Sequence, residues 1–112
     1  LARHPHPGIP PAAGSSGMAW VVNWLPRGFT ETDQPNADSP RRTYTDGLAV
    51  FSVFLERLSR EIRPGEGVVR KGGTTSYTRG LTLAGRPVLV TVVGEVPVNT
   101  ARMVADSVAG SE

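Results

Sequence analysis

Two β-prone runs, TTSYTRGLTL at 74–83 and PVLVTVVGEV at 87–96, flank Ala84-Gly85-Arg86. A short glycine-containing turn between two such runs is the signature of a β-hairpin, and this is the clearest one in the chain. Within the second run, Val88, Val90 and Val92 point to one face, and Leu89, Thr91 and Val93 to the other. Apolar side chains on both faces predict a central strand covered on at least one side.

Other elements are read around this hairpin. Residues 19–24 (AWVVNW) are β-branched and aromatic and read as a strand, after which Pro26 and Gly28 turn the chain. Residues 29–33 read as a weaker second strand, and 34–40 (QPNADSP) as a loop. Asp46-Gly47, between 42–45 and the apolar run that opens at Leu48, signals a two-residue hairpin. That run is ambiguous: Phe51, Leu55, Leu58 and Ile62 fall at helical spacing, whereas VFSVF is β-branched and aromatic. It is taken as a strand over 48–56, with a helical turn as an option at 58–62. Residues 63–73, with Pro64 and four glycines, read as a loop. A helix then starts at Pro97, with Val98, Ala101, Ala105 and Val108 as its apolar stripe and Gly110 as its end. So short an amphipathic helix must dock on something. The expected fold is α+β: an antiparallel sheet of about five strands with a C-terminal helix packed on one face.

Trp20 and Trp24 would share a strand face and are assigned to the core. Residues 1–17 hold four prolines and three glycines and read as a flexible interdomain linker, leaving 18–112 as the domain. The start at Leu1, without an initiator methionine or a leader, reads as a piece of a longer protein.

Of 112 residues none is cysteine, which excludes a disulfide scaffold, a thiolate metal site and a cysteine nucleophile. Eleven of the twelve basic residues are arginine, against ten acids, for a net charge of +2. So small an excess makes a poor polyanion binder. Arg41-Arg42, Arg57/Arg60/Arg63 and Arg70-Lys71 are nonetheless basic patches, and Glu56, Glu61 and Glu66 dilute the middle one. Both histidines, His4 and His6, lie in the linker, too few for a metal site. With no histidine in the domain and no P-loop, nucleophile elbow or dinucleotide fingerprint, no catalytic residue, cofactor site or metal site is assigned. Asp46, Glu56 and Glu95 would be of catalytic interest only if they converged.

Three segments recur together in one family. Trp24-Leu25-Pro26-x-Gly28-Phe29, then Tyr44-Thr45-Asp46-Gly47-Leu48-Ala49-Val50-Phe51-Ser52-Val53-Phe54, then Val92-Val93-Gly94-Glu95-Val96-Pro97 with Thr100-Ala101 and Val104-Ala105, resemble in order and spacing the C-terminal domain of the MucB/RseB family. The similarity covers about residues 18–109 and is closer to the MucB branch; 57–73 matches none of the motifs.

The resemblance implies a regulator of the envelope stress response in the periplasm. Such proteins bind the periplasmic part of a MucA- or RseA-like anti-sigma factor, hinder its proteolysis and so keep the sigma factor inactive. The resemblance also implies a larger N-terminal, LolA/LolB-like lipid-sensing domain, to which residues 1–17 would be the link. On this reading the expected partner-binding residues are Tyr77 and Arg79, then Tyr44, Arg57 and Arg70, on an open face or edge of the sheet. Trp24, Phe29, Asp46, Gly47, Gly94 and Pro97 are assigned to folding. Self-association is a further expectation. The competing function is an arginine-rich polyanion- or nucleic-acid-binding module, which steep salt dependence would reveal.

Overall fold

The computed structural model describes residues 18–32, 38–58 and 66–110. The linker 1–17 and nearly all of the optional helical turn at 58–62 fall outside these residues. In chain order the elements are β1 (Trp20–Val22), β2 (Thr30–Glu31), β3 (Arg41–Thr45), β4 (Val50–Arg57), β5 (Glu66–Lys71), β6 (Thr74–Leu83), β7 (Arg86–Gly94), α1 (Val98–Asp106) and β8 (Val108–Gly110). Six of them form one antiparallel sheet in the order β2-β3-β4-β7-β6-β5, while β1 and β8 pair as a separate two-stranded ribbon.

Four expectations need correction. First, 66–71, read as loop, form β5, the outermost of the six strands in the antiparallel sheet. It has few packing side chains of its own, and its ladder with β6 holds it in place (Val68 opposite Tyr77). Second, Asp46-Gly47 is not a two-residue turn. Thr45 pairs with Val50, and Asp46 Oδ1 accepts the backbone N–H of both Leu48 and Ala49 at 2.9 Å, so the aspartate closes a four-residue loop. Third, the helix stops at Asp106, with Ser107 as its cap, and Gly110 belongs to a strand opposite Trp20. Fourth, β1 ends at Val22, so Trp24 leaves the strand and is 36% exposed while Trp20 is fully buried.

The turn after β6 is also tighter than expected. Leu83 pairs with Arg86, so the loop is Ala84-Gly85 alone. Both residues have positive φ (53° and 76°), as the hairpin turn that follows strand twist requires.

Strand alternation sorts the sheet into two faces. Phe51, Val53 and Leu55 of β4 share one face with Val88, Val90 and Val92 of β7 and Thr75 and Tyr77 of β6, and all of these are buried. Ala101, Val104 and Ala105 of α1 are buried too and pack against β6 and β7. Tyr44 stacks on Phe51 with ring centroids 5.3 Å apart, and Phe29 lies 5.2 Å from the same ring. Trp20 brings the ribbon onto this layer: its Nε1–H donates to the Ser39 carbonyl at 2.7 Å, and the Arg42 guanidinium sits 5.1 Å above its ring. The result is a two-layer α+β sandwich.

Candidate partner-binding surface

All five expected binding residues fall on the helix-covered face. Tyr77 pairs with Val92 and Arg79 with Val90. Tyr44 sits opposite Phe51, Arg57 opposite Val88 and Arg70 opposite Thr75. Tyr77 is fully buried and donates its hydroxyl to Glu66 Oε2 at 2.6 Å. Arg102 of α1 reaches the same carboxylate at 3.4 Å and stands 5.8 Å over the Tyr77 ring. Arg79 forms an ion pair with Asp106. Together these groups tie α1 to β5 and β6. The Tyr77 hydroxyl and Arg102 hold the Glu66 carboxyl below its ordinary range, while burial and then Glu66 push the Tyr77 hydroxyl up. Tyr44, also buried, has its hydroxyl pushed up to about 12 by burial and by Glu31. Tyr44, Tyr77 and Arg79 therefore sit among intramolecular contacts, whereas Arg57 at the end of β4 and Arg70 on β5 are exposed.

The opposite face is different. Arg41, Phe54, Thr91, Thr78 and Gly67 form one row across β3, β4, β7, β6 and β5; Thr43, Ser52, Val93, Ser76 and Val69 form the next. No residue of the sheet on this face is buried. Thr43 and Ser52 share a hydrogen bond at 3.0 Å, so part of the face is satisfied within itself. Its apolar members are large for solvent-facing positions: Phe54 is 39% exposed and Val69 63%, with Val50 also exposed and Leu89 and Val93 half-buried. A solvated antiparallel face is ordinarily polar, and here these apolar side chains stand among Thr and Ser neighbours. Sequence reasoning missed Phe54, Val50 and Val69. The alternation along β4, which sends Phe51, Val53 and Leu55 inward and Val50, Ser52 and Phe54 outward, carried the signal for the first two.

The geometry offers little to catalysis. Six residue steps of β4 lead from Val50, beside Asp46 and Glu95, to Glu56, roughly 20 Å of strand, so the three carboxylates do not converge. Among the described residues no three His, Cys, Asp or Glu side chains group to hold a metal, and no helix is long and apolar enough to cross a membrane. Arg42, Arg79 and Arg102 are held in ion pairs with Glu31, Asp106 and Glu66, which removes them from any basic patch.

Comparison with known proteins meets this geometry. The chain is 40% identical to the sigma factor AlgU regulatory protein MucB of Pseudomonas aeruginosa over 104 residues, 87% of this chain and 33% of that protein. It is 30% identical to the sigma-E factor regulatory protein RseB of Salmonella typhimurium over 106 residues, 88% of this chain and 31% of that one. It therefore spans about a third of the length of these relatives. Among solved structures, MucB in complex with MucA(peri) superposes with a TM-score of 0.72 at 40% identity, covering 84% of this chain and 37% of that chain. A crystal structure of MucB superposes with a TM-score of 0.62 at 41% identity, over 83% and 33%. The sequence model of the MucB/RseB C-terminal domain matches residues 14–109, most of the chain, and the protein belongs to that family.

Proposed function

We propose that this chain is the non-catalytic, smaller domain of a periplasmic sigma-factor regulator. It grips the periplasmic part of a MucA/RseA-like anti-sigma factor and shields it from proteolysis, so that the envelope-stress sigma factor stays inactive. The observation that carries this reading is the match, at 40% identity and a TM-score of 0.72, to MucB solved in complex with MucA(peri). The sheet adds a physical basis. Its uncovered face presents Phe54, Val50, Leu89 and Val93 to a partner's apolar side chains, amid Thr and Ser groups that can satisfy polar ones. Tyr44, Tyr77 and Arg79 support that face from beneath by fixing the covering layer. Residues 1–17 are the link to a LolA/LolB-like lipid-sensing domain.

The test is the rate at which the site-one protease cleaves the periplasmic anti-sigma segment, alone, with this chain, and with the longer regulator that contains it. Slower cleavage with the longer regulator, lost when it carries Phe54→Asp, is the expected result. Unchanged protection by the Phe54→Asp regulator contradicts the assignment of this face. No protection by the unsubstituted regulator contradicts the function.

A further inference from the structure

Thr75 is a polar side chain in a place that suits an apolar one. It is fully buried, and its Oγ1 has no hydrogen-bond partner within the fold. A buried hydroxyl left unpaired is costly, and valine has the same shape without that cost.

What lies over Thr75 follows from register. Asp106 of α1 meets Arg79 of β6, and Arg102, one turn earlier, stands 5.8 Å over the Tyr77 ring. Four residues of helix advance about 6 Å and two residues of strand about 6.6 Å, so helix and strand keep step. One further turn back sets Val98, the first residue of α1, over Thr75. The Thr75 hydroxyl is therefore aimed into the first turn of the helix.

That turn lacks the groups that ordinarily satisfy it. The bonds of α1 begin with the Ala101 N–H donating to the Pro97 carbonyl, so the N–H groups of Val98, Asn99 and Thr100 have no acceptor within the helix. A side-chain oxygen usually accepts from such groups, and acids favour the positive end of the helix dipole. Here the N-cap is Pro97, with no side-chain cap bond, and the first turn holds no acid. Asn99 turns its Oδ1 to Arg102 instead, at 2.9 Å. A cation stands beside the turn: Arg70 of β5 lies directly across the ladder from Thr75, with Cα atoms about 4.5–5.5 Å apart. It is exposed and forms no ion pair among the described residues. Glu66, on the same face of β5, is held by Tyr77 and Arg102. Glu95, two residues before Pro97, bonds through its backbone N–H to Val50 of β4, on the side of β7 away from Arg70.

We propose that the first turn of α1, the Thr75 hydroxyl and the Arg70 guanidinium form a binding site for an oxyanion, which caps the helix from outside the chain. The backbone N–H groups of Val98, Asn99 and Thr100, one hydroxyl and a guanidinium fork all offer donors, the set that holds phosphate or carboxylate oxygens at a helix N-terminus. The mouth is open, because Pro97, Asn99 and Arg70 are exposed, and Thr75 is the floor. The oxyanion is a free ion or the carboxylate of an acidic side chain on another polypeptide, and two probes separate these sources.

The test follows the amide signals of Val98, Asn99 and Thr100 by proton–nitrogen correlation NMR of this chain, at fixed pH and constant ionic strength. One probe is inorganic phosphate. The other is the blocked tripeptide acetyl-Gly-Asp-Gly-amide, with its Asn counterpart as uncharged control. Saturable shifts of these amides with phosphate or with the aspartyl peptide are expected, and the probe with the lower half-saturation identifies the source. Arg70→Gln should raise the half-saturation concentration roughly tenfold, and Thr75→Val about fivefold. Thr75→Val should also keep a urea midpoint no lower than the parent's, since the hydroxyl it removes has no partner within the fold. That readout separates lost binding from lost structure. Shifts that fail to saturate, a response centred on Arg41 and Arg86 rather than on the first turn of α1, either variant binding like the parent, or a lowered midpoint for Thr75→Val would each overturn the site.

Discussion

Ala84 holds φ = 53° without being glycine, in a two-residue turn that wants positive φ at both positions. An alanine there costs about 1 kcal/mol relative to a residue that tolerates the left-handed region. Asparagine does so, and Asn-Gly is the favoured pair for this turn. Ala84→Asn should therefore raise stability by about 0.5–1 kcal/mol, read as a higher urea midpoint at constant slope. Gly94 is the opposite case. A Cβ there would stand 2.3 Å from the Phe51 Cβ and 2.5 Å from the Val50 carbonyl oxygen, backbone and core that cannot step aside. Gly94→Ala should lower stability by about 1–3 kcal/mol or more, and a parental midpoint would show that β4 and β7 do not approach so closely. The chain's two tyrosines give a pH test. Tyr44, its hydroxyl pushed from 10.0 up to about 12, and Tyr77, shifted the same way, stay protonated in the fold while the unfolded chain ionises. Stability is thus intact below pH 10 and declines as pH rises toward about 12. Phenolate absorbance should stay low past pH 10 and then rise together with loss of structure, whereas a titration near 10 with the fold intact would mean exposed hydroxyls.

Legibility differed from element to element, for physical reasons. β6, β7 and the apolar stripe of α1 were readable because burial imposes periodicity: Val88, Val90 and Val92 alternate, and Ala101, Val104 and Ala105 follow the helical turn. β5 was not, because a strand exposed on both faces has no burial pattern to display, and Gly65, Gly67, Gly72 and Gly73 gave its sequence the look of a loop. β8 was hidden for another reason. Val108 continues the helical stripe in sequence, yet it is buried from a strand whose partner is eighty-odd residues away in β1, and no local pattern encodes that pairing. The same non-local pairing makes a prediction. Ending the chain at Ser107 removes the partners of Trp20, Val21 and Val22, so the Trp20 side of the core should loosen. Tryptophan emission should shift to the red and the urea midpoint should fall; an unchanged spectrum would show that the ribbon contributes nothing to the burial of Trp20.

At the scale of the whole molecule, one face of the sheet is consumed by α1 and the β1–β8 ribbon, and the other is left uncovered. The expectation for Tyr77, Arg79, Tyr44, Arg57 and Arg70 as partner-binding residues rests on side-chain type, and side-chain type does not report the face. Register does, and it turns Tyr44 and Tyr77 inward while it turns Phe54 and Val50 outward. Fold class and family were legible because motifs of turns and core residues carry them, whereas the contact surface depends on which face the helix covers. The most direct test is calorimetric titration of the periplasmic anti-sigma segment into this chain and into its Phe54→Asp variant, after circular dichroism has shown both folded. The account predicts saturable heat with the parent chain and affinity at least about tenfold weaker for the variant, as expected when a buried aromatic anchor is lost. Equal affinity for the two chains, or no heat from the parent, would contradict it.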